Sequence, residues 1–264
     1  MLGNQSNVHF QPFPDGSGGH YDEFQNTSHL VTRYLPSSLP VGHILNPTLL
    51  PIRILNPTAP NGKYVPSEYA QIRRFVREMW DEHGQELDLV LHLGMADGWE
   101  WFTIEGYAFK EGFTSDFDSS TRHQEGYYHI LDDAGKTVSD ITKSEGKGVW
   151  DALPVGLAPN INVDQAVQDA TRLLKKEDAD MTSASASERN PDVIAHHEAG
   201  DYCCGFIYYE SLANCKTRGV DTRVVFTHVP GWRDSKRLEG GSHAVCAIIG
   251  SVCLQISKQE THIR

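Results

Sequence analysis

A cysteine in the last quarter of the chain has the surroundings of a nucleophile. Residues 198–209 read EAGDYCCGFIYY, and Cys204 stands where a Gly-containing turn passes into a helical pattern. Backbone N–H groups and the dipole at a helix N-terminus favour a thiolate and can bind an oxyanion. Buried cysteines are common in protein cores, so the residue type alone does not indicate chemistry. The position before a helix makes Cys204 the candidate nucleophile.

His228 and Glu105 stand at positions that suit the same chemistry. His228 lies at the end of a β-branched run, two residues before Pro230. A histidine beside a cysteine can accept the thiol proton and later protonate a leaving amine. Glu105 lies in an apolar run after the glycines at 94 and 98, where a carboxylate can orient a histidine. Taken alone, either residue could equally have a structural or exposed role.

The elements that must position these residues alternate between helix and strand. Apolar residues at three- and four-residue steps predict helices, and short β-branched or apolar runs predict strands. The predicted helices begin at Pro66–Glu68 and near Asp164, the latter as a helix cap, and span Cys204–Lys216 and Ser242–Ile256. The predicted strands are Leu87–Gly94, Asp192–Ala195 and Thr222–Val229.

This alternation predicts one α/β domain over residues 1–264. The expected architecture is a three-layer α/β/α sandwich with a mostly parallel, mixed central sheet. Residues 1–7 are expected to form a loose N-terminus, and residues 176–190 an exposed loop. Reactive groups in such folds gather where the carboxyl ends of strands meet loops and helix N-termini.

Composition excludes several classes of partner. The chain has 264 residues, with 23 Lys and Arg against 35 Asp and Glu, and a net charge of −12. An acidic surface disfavours binding to nucleic acid and to anionic membranes. No run reaches the roughly 18–20 apolar residues of a membrane helix, and no signal-peptide pattern is present. The odd number of cysteines, 5, does not indicate a disulfide framework, so a reducing, cytoplasmic location is expected.

Metal binding is the remaining enzyme alternative, suggested by His196, His197 and Glu198. Adjacent histidines point in different directions on a strand or a helix. The cysteines do not form the CxxC pairs of a zinc site. A solvated polar loop is the preferred interpretation of these three residues, and no metal is expected.

Together the three motifs resemble those of the pyroglutamyl peptidase I family of cysteine peptidases, in the form of a diverged fungal-type member. The family's nucleophile segment is like S-x-D-A-G-x-Y-L-C-N, and residues 196–205 here read HHEAGDYCCG, which selects Cys204 rather than Cys203. The pattern F-x-H-V-P matches residues 226–230 and selects His228. The family's acidic residue corresponds to Glu105.

The resemblance implies a phosphorylase/hydrolase-like fold and a cytoplasmic thiol protease that removes N-terminal pyroglutamate from peptides without metal or cofactor. Cys204 would attack the pyroglutamyl amide carbonyl, and His228, oriented by Glu105, would protonate the leaving amine. The resemblance also implies a substrate pocket whose residues here are Phe10, Phe13, Met95 and Tyr202.

The recognition segments differ from the family pattern. His9 and Gln11 replace two glycines of a G-F-G-P-F loop, Met95 replaces a glutamine, Trp99 an arginine and Gly205 an asparagine. Two alternatives therefore stay open. One is a catalytically weak or inactive relative that binds a peptide or a protein. The other is an amide hydrolase with a different substrate.

Overall fold

The computed structural model consists of eight strands and six α-helices in the part of the chain that it describes. That part comprises residues 6–13, 26–56, 65–110, 128–180 and 190–263, with only the backbone of residues 6–13 and 260–263. The strands are β1 (Ser6–Phe13), β2 (Ser38–Leu39), β3 (Ile52–Leu55), β4 (Leu89–Ala96), β5 (Phe102–Phe109), β6 (Gly156–Leu157), β7 (Val193–Glu198) and β8 (Arg223–Pro230). The helices are α1 (Thr27–Thr32), α2 (Tyr69–His83), α3 (Val138–Glu145), α4 (Val163–Asp180), α5 (Cys203–Arg218) and α6 (Ser235–Ile263).

The strands form a mostly parallel, mixed sheet. Five of them follow the order β2-β3-β1-β4-β8, in which only β2 is antiparallel to its neighbour. Three more follow the order β6-β5-β7, with β7 parallel and β6 antiparallel to β5. The backbone N–H of His228 in β8 donates to Thr103 Oγ1 in β5 over 3.1 Å, which links the two groups of strands. The predicted sheet type is confirmed.

Helices cover both faces of the sheet. Along β4, Leu89, Leu91 and Leu93 pack in a core with α1, α4 and α6. Val90 packs in a second core with α2, α3 and α5. Successive side chains of a strand point to opposite faces, so a strand buried on both faces is apolar throughout. These two cores confirm the predicted three-layer sandwich.

The N-terminal prediction is wrong for two segments. Ser6 and Asn7, expected in a loose terminus, begin β1, and residues 8–13, expected to be a loop, continue it. β1 lies between β3 and β4 and pairs in parallel with both. Parallel pairing joins residues far apart in the chain, so the polar, proline-containing sequence of β1 does not reveal it. Residues 1–5 lie outside the described part.

Three helix boundaries also differ from the prediction. Asn162, not Asp164, caps α4, because its Oδ1 accepts the N–H of Gln165 over 2.9 Å. α4 continues to Asp180, so the predicted loop at 176–190 begins as helix, and residues 181–189 lie outside the described part. α6 starts at Ser235 rather than Ser242. The two glycines at 240 and 241 lower helix propensity, so the sequence does not reveal the first two turns of α6.

The apolar character of α6 follows from its place in the core. A stretch of 18 residues within 235–259 has a mean hydropathy of 1.3, so by length and composition alone the helix could cross a membrane. However, 78% of that stretch is buried inside the fold. It packs against α1, α4 and β4. Core packing therefore explains its composition.

The two glycines at positions 240 and 250 of α6 provide a matched test of this packing. A Cβ at Gly250 would lie 2.1 Å from the Leu45 carbonyl oxygen, whereas a Cβ at Gly240 would meet only Pro191, at 3.9 Å. We expect Gly250→Ala to lower the free energy of unfolding by about 1–3 kcal/mol. Gly240→Ala should raise it by about 0.5–1 kcal/mol, because alanine is the better helix former. Urea unfolding measures both, and equal effects would contradict the close approach.

Candidate active site

The candidate site lies at the carboxyl edge of the sheet, beside Gly94. Phe13, Gly94 and His228 are register partners on three neighbouring strands. A Cβ at Gly94 would lie 2.8 Å from Cys204 Sγ and 2.6 Å from the Phe226 ring. The absence of a side chain at Gly94 therefore lets the thiol approach the sheet next to His228.

A tight turn before α5 places Cys204 at this position. Gly200 has φ +84°, a conformation that favours glycine, and Tyr202 is the extended N-cap of α5. A Cβ at Gly205 would lie 1.8 Å from the Gly200 carbonyl oxygen. Glycine at 205, where the resembled family has asparagine, is thus required by the turn. Cys204 lies in the first turn of α5, whose backbone N–H groups have no acceptor within the helix.

His228 connects the thiol to a carboxylate. Its Nδ1 lies 2.8 Å from Glu105 Oε1, and its ring also makes a side-chain hydrogen bond with Cys204. Burial by itself lowers the pKa of His228. The hydrogen bonds and charges of Cys204 and Glu105 outweigh it and raise that pKa to about 10. The structure thus brings together all three residues that the motifs predict.

Glu105 is completely buried in β5. Burial raises its pKa, but hydrogen bonds from His196 and His228 reverse the effect and lower the pKa below its ordinary value. The Thr103 hydroxyl also donates to Oε1, and the Tyr208 hydroxyl donates to the backbone carbonyl of Glu105. The alternative of an exposed carboxylate at a strand end is therefore wrong.

His196 is a residue of this site that no sequence motif predicts. The segment 196–198, expected to be a solvated polar loop, is the end of β7. His196 is the register partner of Glu105, and its Nδ1 lies 2.7 Å from Glu105 Oε2. The two residues are 91 positions apart in the chain, so no local spacing signals the contact. The family pattern, which has serine here, gives no signal either.

Trp99 lies against both histidines. Its ring centroid is 5.1 Å from that of His196 and 5.6 Å from that of His228. Trp101 stacks on Trp99 at 6.0 Å and is 40% exposed. The turn between β4 and β5 therefore places an aromatic wall beside the reactive group.

The predicted recognition residues lie near the site. Met95 is buried, follows Gly94 in β4 and pairs with Val229. Tyr202 is half-buried, and its ring packs edge-on against Tyr69 at 5.9 Å. Phe10 and Phe13 belong to β1 by their backbone, and their side chains lie outside the described part. A substrate-binding role for all four remains a prediction.

Within the described part of the chain, no group of three or more histidine, cysteine or acidic side chains is arranged to hold a metal ion. All five cysteines are free thiols. Burial raises the pKa of Cys215 to about 11, that of Cys246 to about 12, and that of Cys203 well above the ordinary value.

Comparison with solved structures identifies the fold. Pyrrolidone carboxyl peptidase from Thermococcus litoralis superposes with a TM-score of 0.63 at 14% identity, over 96% of each chain. A mutant of the enzyme from Pyrococcus furiosus gives 0.61 at 16%, over 95% of this chain and 99% of that one. The enzyme from Fervidobacterium islandicum gives 0.56 at 19%, over 94% and 98%. No protein-family model and no curated protein matches the sequence.

These likenesses confirm, at the level of the fold, the resemblance read from the three motifs. The chain has the α/β architecture of the pyrrolidone carboxyl peptidases. Its sequence is far diverged from theirs, so the shared fold does not by itself establish a shared activity.

Selective labelling tests whether Cys204 differs from the other thiols. We expect iodoacetamide at neutral pH to alkylate Cys204 first, because its thiol bonds His228, whereas burial raises the pKa of Cys203, Cys215 and Cys246. The measurement is peptide mass spectrometry after timed quenching. His228→Asn should slow the labelling of Cys204 by about tenfold or more, since it removes the proton acceptor. Equal, slow labelling of all five thiols would contradict an activated nucleophile.

The pH dependence of stability tests the charge of His228. Because its pKa is raised, the protonated ring stabilises the fold fully below about 6.5, and this contribution is lost as the pH rises through about 10. We expect the difference in free energy of unfolding between wild type and His228→Asn to shrink over that window. Urea unfolding at several pH values measures it, and a constant difference would refute the interpretation.

Proposed function

We propose that this protein is a cysteine peptidase that removes N-terminal pyroglutamate from peptides. The observation that carries the proposal is the chain of contacts Cys204–His228–Glu105 at the N-terminus of α5. It stands within a fold shared with pyrrolidone carboxyl peptidases. A nucleophile, a base within hydrogen-bond reach and a group that orients the base are the parts of a nucleophilic hydrolase site.

In the first step, the Cys204 sulfur attacks the pyroglutamyl carbonyl carbon as a thiolate, paired with His228, whose raised pKa keeps its ring protonated at neutral pH. The Glu105 carboxylate on Nδ1 stabilises this imidazolium. A new C–S bond forms while the carbonyl π electrons move to oxygen, which becomes an oxyanion. Backbone N–H groups in the first turn of α5, beside Cys204, supply hydrogen bonds and a favourable dipole for that oxyanion.

In the second step, the tetrahedral intermediate collapses and the amide C–N bond breaks. His228 transfers its proton to the leaving amine, which departs as the shortened peptide. The same histidine then takes a proton from water, and the resulting hydroxide attacks the thioester. Breaking the C–S bond releases pyroglutamate, and the Cys204 sulfur returns to its pairing with the protonated His228.

The substrate and the cellular location belong to the proposal as well. A peptide with an N-terminal lactam is the expected partner, and the cytoplasm is the expected compartment, because five cysteines without a disulfide are typical of reducing compartments. Nucleic acid and membrane surfaces are not expected partners of a chain with a net charge of −12.

A different amide substrate is the second candidate, favoured by Met95. A thioether offers only a weak acceptor where an amide could donate and accept hydrogen bonds. An unpaired polar group of a buried lactam costs about 1–3 kcal/mol, which is a tenfold loss of affinity or more. The aromatic wall of Trp99 and Trp101 also differs from the arginine that the resembled family has at position 99.

Hydrolysis of a fluorogenic pyroglutamyl amide tests the proposal. We expect wild type to release the fluorophore and Cys204→Ala to lose the activity by about a thousandfold or more, because the nucleophile is gone. Cys203→Ala is the matched control. It removes the adjacent thiol, which bonds Tyr202 rather than His228, and should retain activity within a few-fold.

Two outcomes would contradict the proposal. Activity that survives in Cys204→Ala would exclude the proposed nucleophile. Absence of hydrolysis by folded wild type would exclude pyroglutamate as substrate. Hydrolysis of a panel of other aminoacyl amides would then test whether the protein acts on a different amide substrate.

A further inference from the structure

The Glu105 carboxylate binds two imidazole rings, one on each oxygen. His228 Nδ1 lies 2.8 Å from Oε1, and His196 Nδ1 lies 2.7 Å from Oε2. The proposed reaction uses only the first contact. The second brings in a residue from β7, a strand that takes no part in the Cys204–His228–Glu105 relay.

His196 is held on two sides. Besides its contact with Glu105, it makes a hydrogen bond to the backbone of Glu198. The Trp99 ring packs edge-on against it. Its side chain is nevertheless 39% exposed, while the Glu105 carboxylate is completely buried. The half-exposed His196 ring therefore contacts the buried carboxylate of Glu105.

A glutamate held at one oxygen can turn about its last torsion, which has broad, roughly twofold minima. Rotation would take Oε1 away from His228. Thr103 also donates to Oε1 and accepts the backbone N–H of His228, so Oε1 is already shared between β5 and β8. Among these contacts, only His196 holds Oε2.

We propose that His196 is a positioning residue, which holds Oε2 of Glu105 and thereby keeps Oε1 aimed at His228. The inference rests on the proposed function, because it takes Cys204 and His228 as the reactive pair. It goes beyond the motif resemblance, since the family's segment has serine at this position.

The hydrogen bond, rather than the charge, is the feature that positions Glu105. The titratable groups facing His196 are Glu105 of β5, His228 of β8 and, beyond His228, Cys204 of α5. The hydrogen bond to Glu105 raises the pKa of His196, whereas burial and the charge of His228 lower it. A neutral ring still donates from Nδ1, so the contact survives loss of the proton. A neutral donor should therefore replace His196, and a side chain without a donor should not.

Two substitutions separate these roles. His196→Gln keeps an N–H donor for Oε2, and His196→Ala removes it. His197→Ala is the matched control, because His197 is the next residue of β7 and contacts Tyr107 instead of Glu105. Urea unfolding establishes that each variant is folded.

The readout is the second-order rate constant for alkylation of Cys204 by iodoacetamide as a function of pH. His196→Ala should lower this rate constant about tenfold or more near neutral pH. Loss of a hydrogen bond that supports a ligand has an effect of this size at metal sites. It should also move the midpoint of the profile to higher pH, because a misaligned carboxylate stabilises the His228 imidazolium less well. His196→Gln should stay within about threefold of wild type, and His197→Ala should be unchanged.

Alkylation does not depend on the substrate, so it distinguishes failure of this inference from failure of the proposed function. Wild type that alkylates rapidly at Cys204 but does not hydrolyse the pyroglutamyl amide overturns the substrate alone, and the variants still test His196. His196→Ala with a wild-type rate and profile overturns the positioning role. A midpoint that moves to lower pH also overturns the positioning role. The charge of His196 would then act only by repelling the His228 imidazolium. Slow alkylation of Cys204 in wild type overturns both proposals.

Discussion

The buried carboxylate of Glu105 is the constraint around which the site is built. An ionised carboxylate in a protein interior is costly unless its oxygens are bonded, and burial alone raises its pKa. Here two histidines and a threonine hydroxyl supply the bonds, each from a different strand. Because these partners come from β5, β7 and β8, their hydrogen bonds to the carboxylate also hold these three strands together. His228 is in turn held in the orientation that meets Cys204.

The thiol reaches this carboxylate–histidine pair because three glycines allow close backbone approach. Gly200 adopts a left-handed conformation before α5, Gly205 passes the Gly200 carbonyl, and Gly94 leaves space for Cys204 Sγ beside the sheet. Helix α5 is buried along most of its length between α2 and the strands. Packing of its middle therefore fixes the position of its N-terminus, where the nucleophile stands. Stability of the second core and geometry of the site are thus coupled through one helix.

The differences from the family pattern of the motifs fall into three groups. Gly205 follows from local geometry, because no Cβ fits there. Trp99 and His196 have contacts of their own, since Trp99 packs against both histidines and His196 bonds the carboxylate. Met95 is buried beside the site, and nothing in its contacts explains the thioether. A shared fold at 14–19% identity is compatible with such changes, because a fold depends on pattern and packing, whereas recognition depends on individual side chains.

The sequence by itself determined the layer architecture and the Cys204, His228 and Glu105 motifs. Hydrophobic periodicity is local, and these motifs each lie within a few residues of a strand or helix end. Tertiary structure alone decided that β1 is a strand, that α6 extends through its glycines and that His196 joins the site. Parallel pairing joins β1 to β3 and β4, and β7 to β5, and so links residues far apart in the chain. Neither the strand β1 nor the contact of His196 with Glu105 is therefore visible in a short segment. Tertiary structure alone also decided the charge of the site, because the pKa of His228 is raised only once burial, Cys204 and Glu105 act on it together.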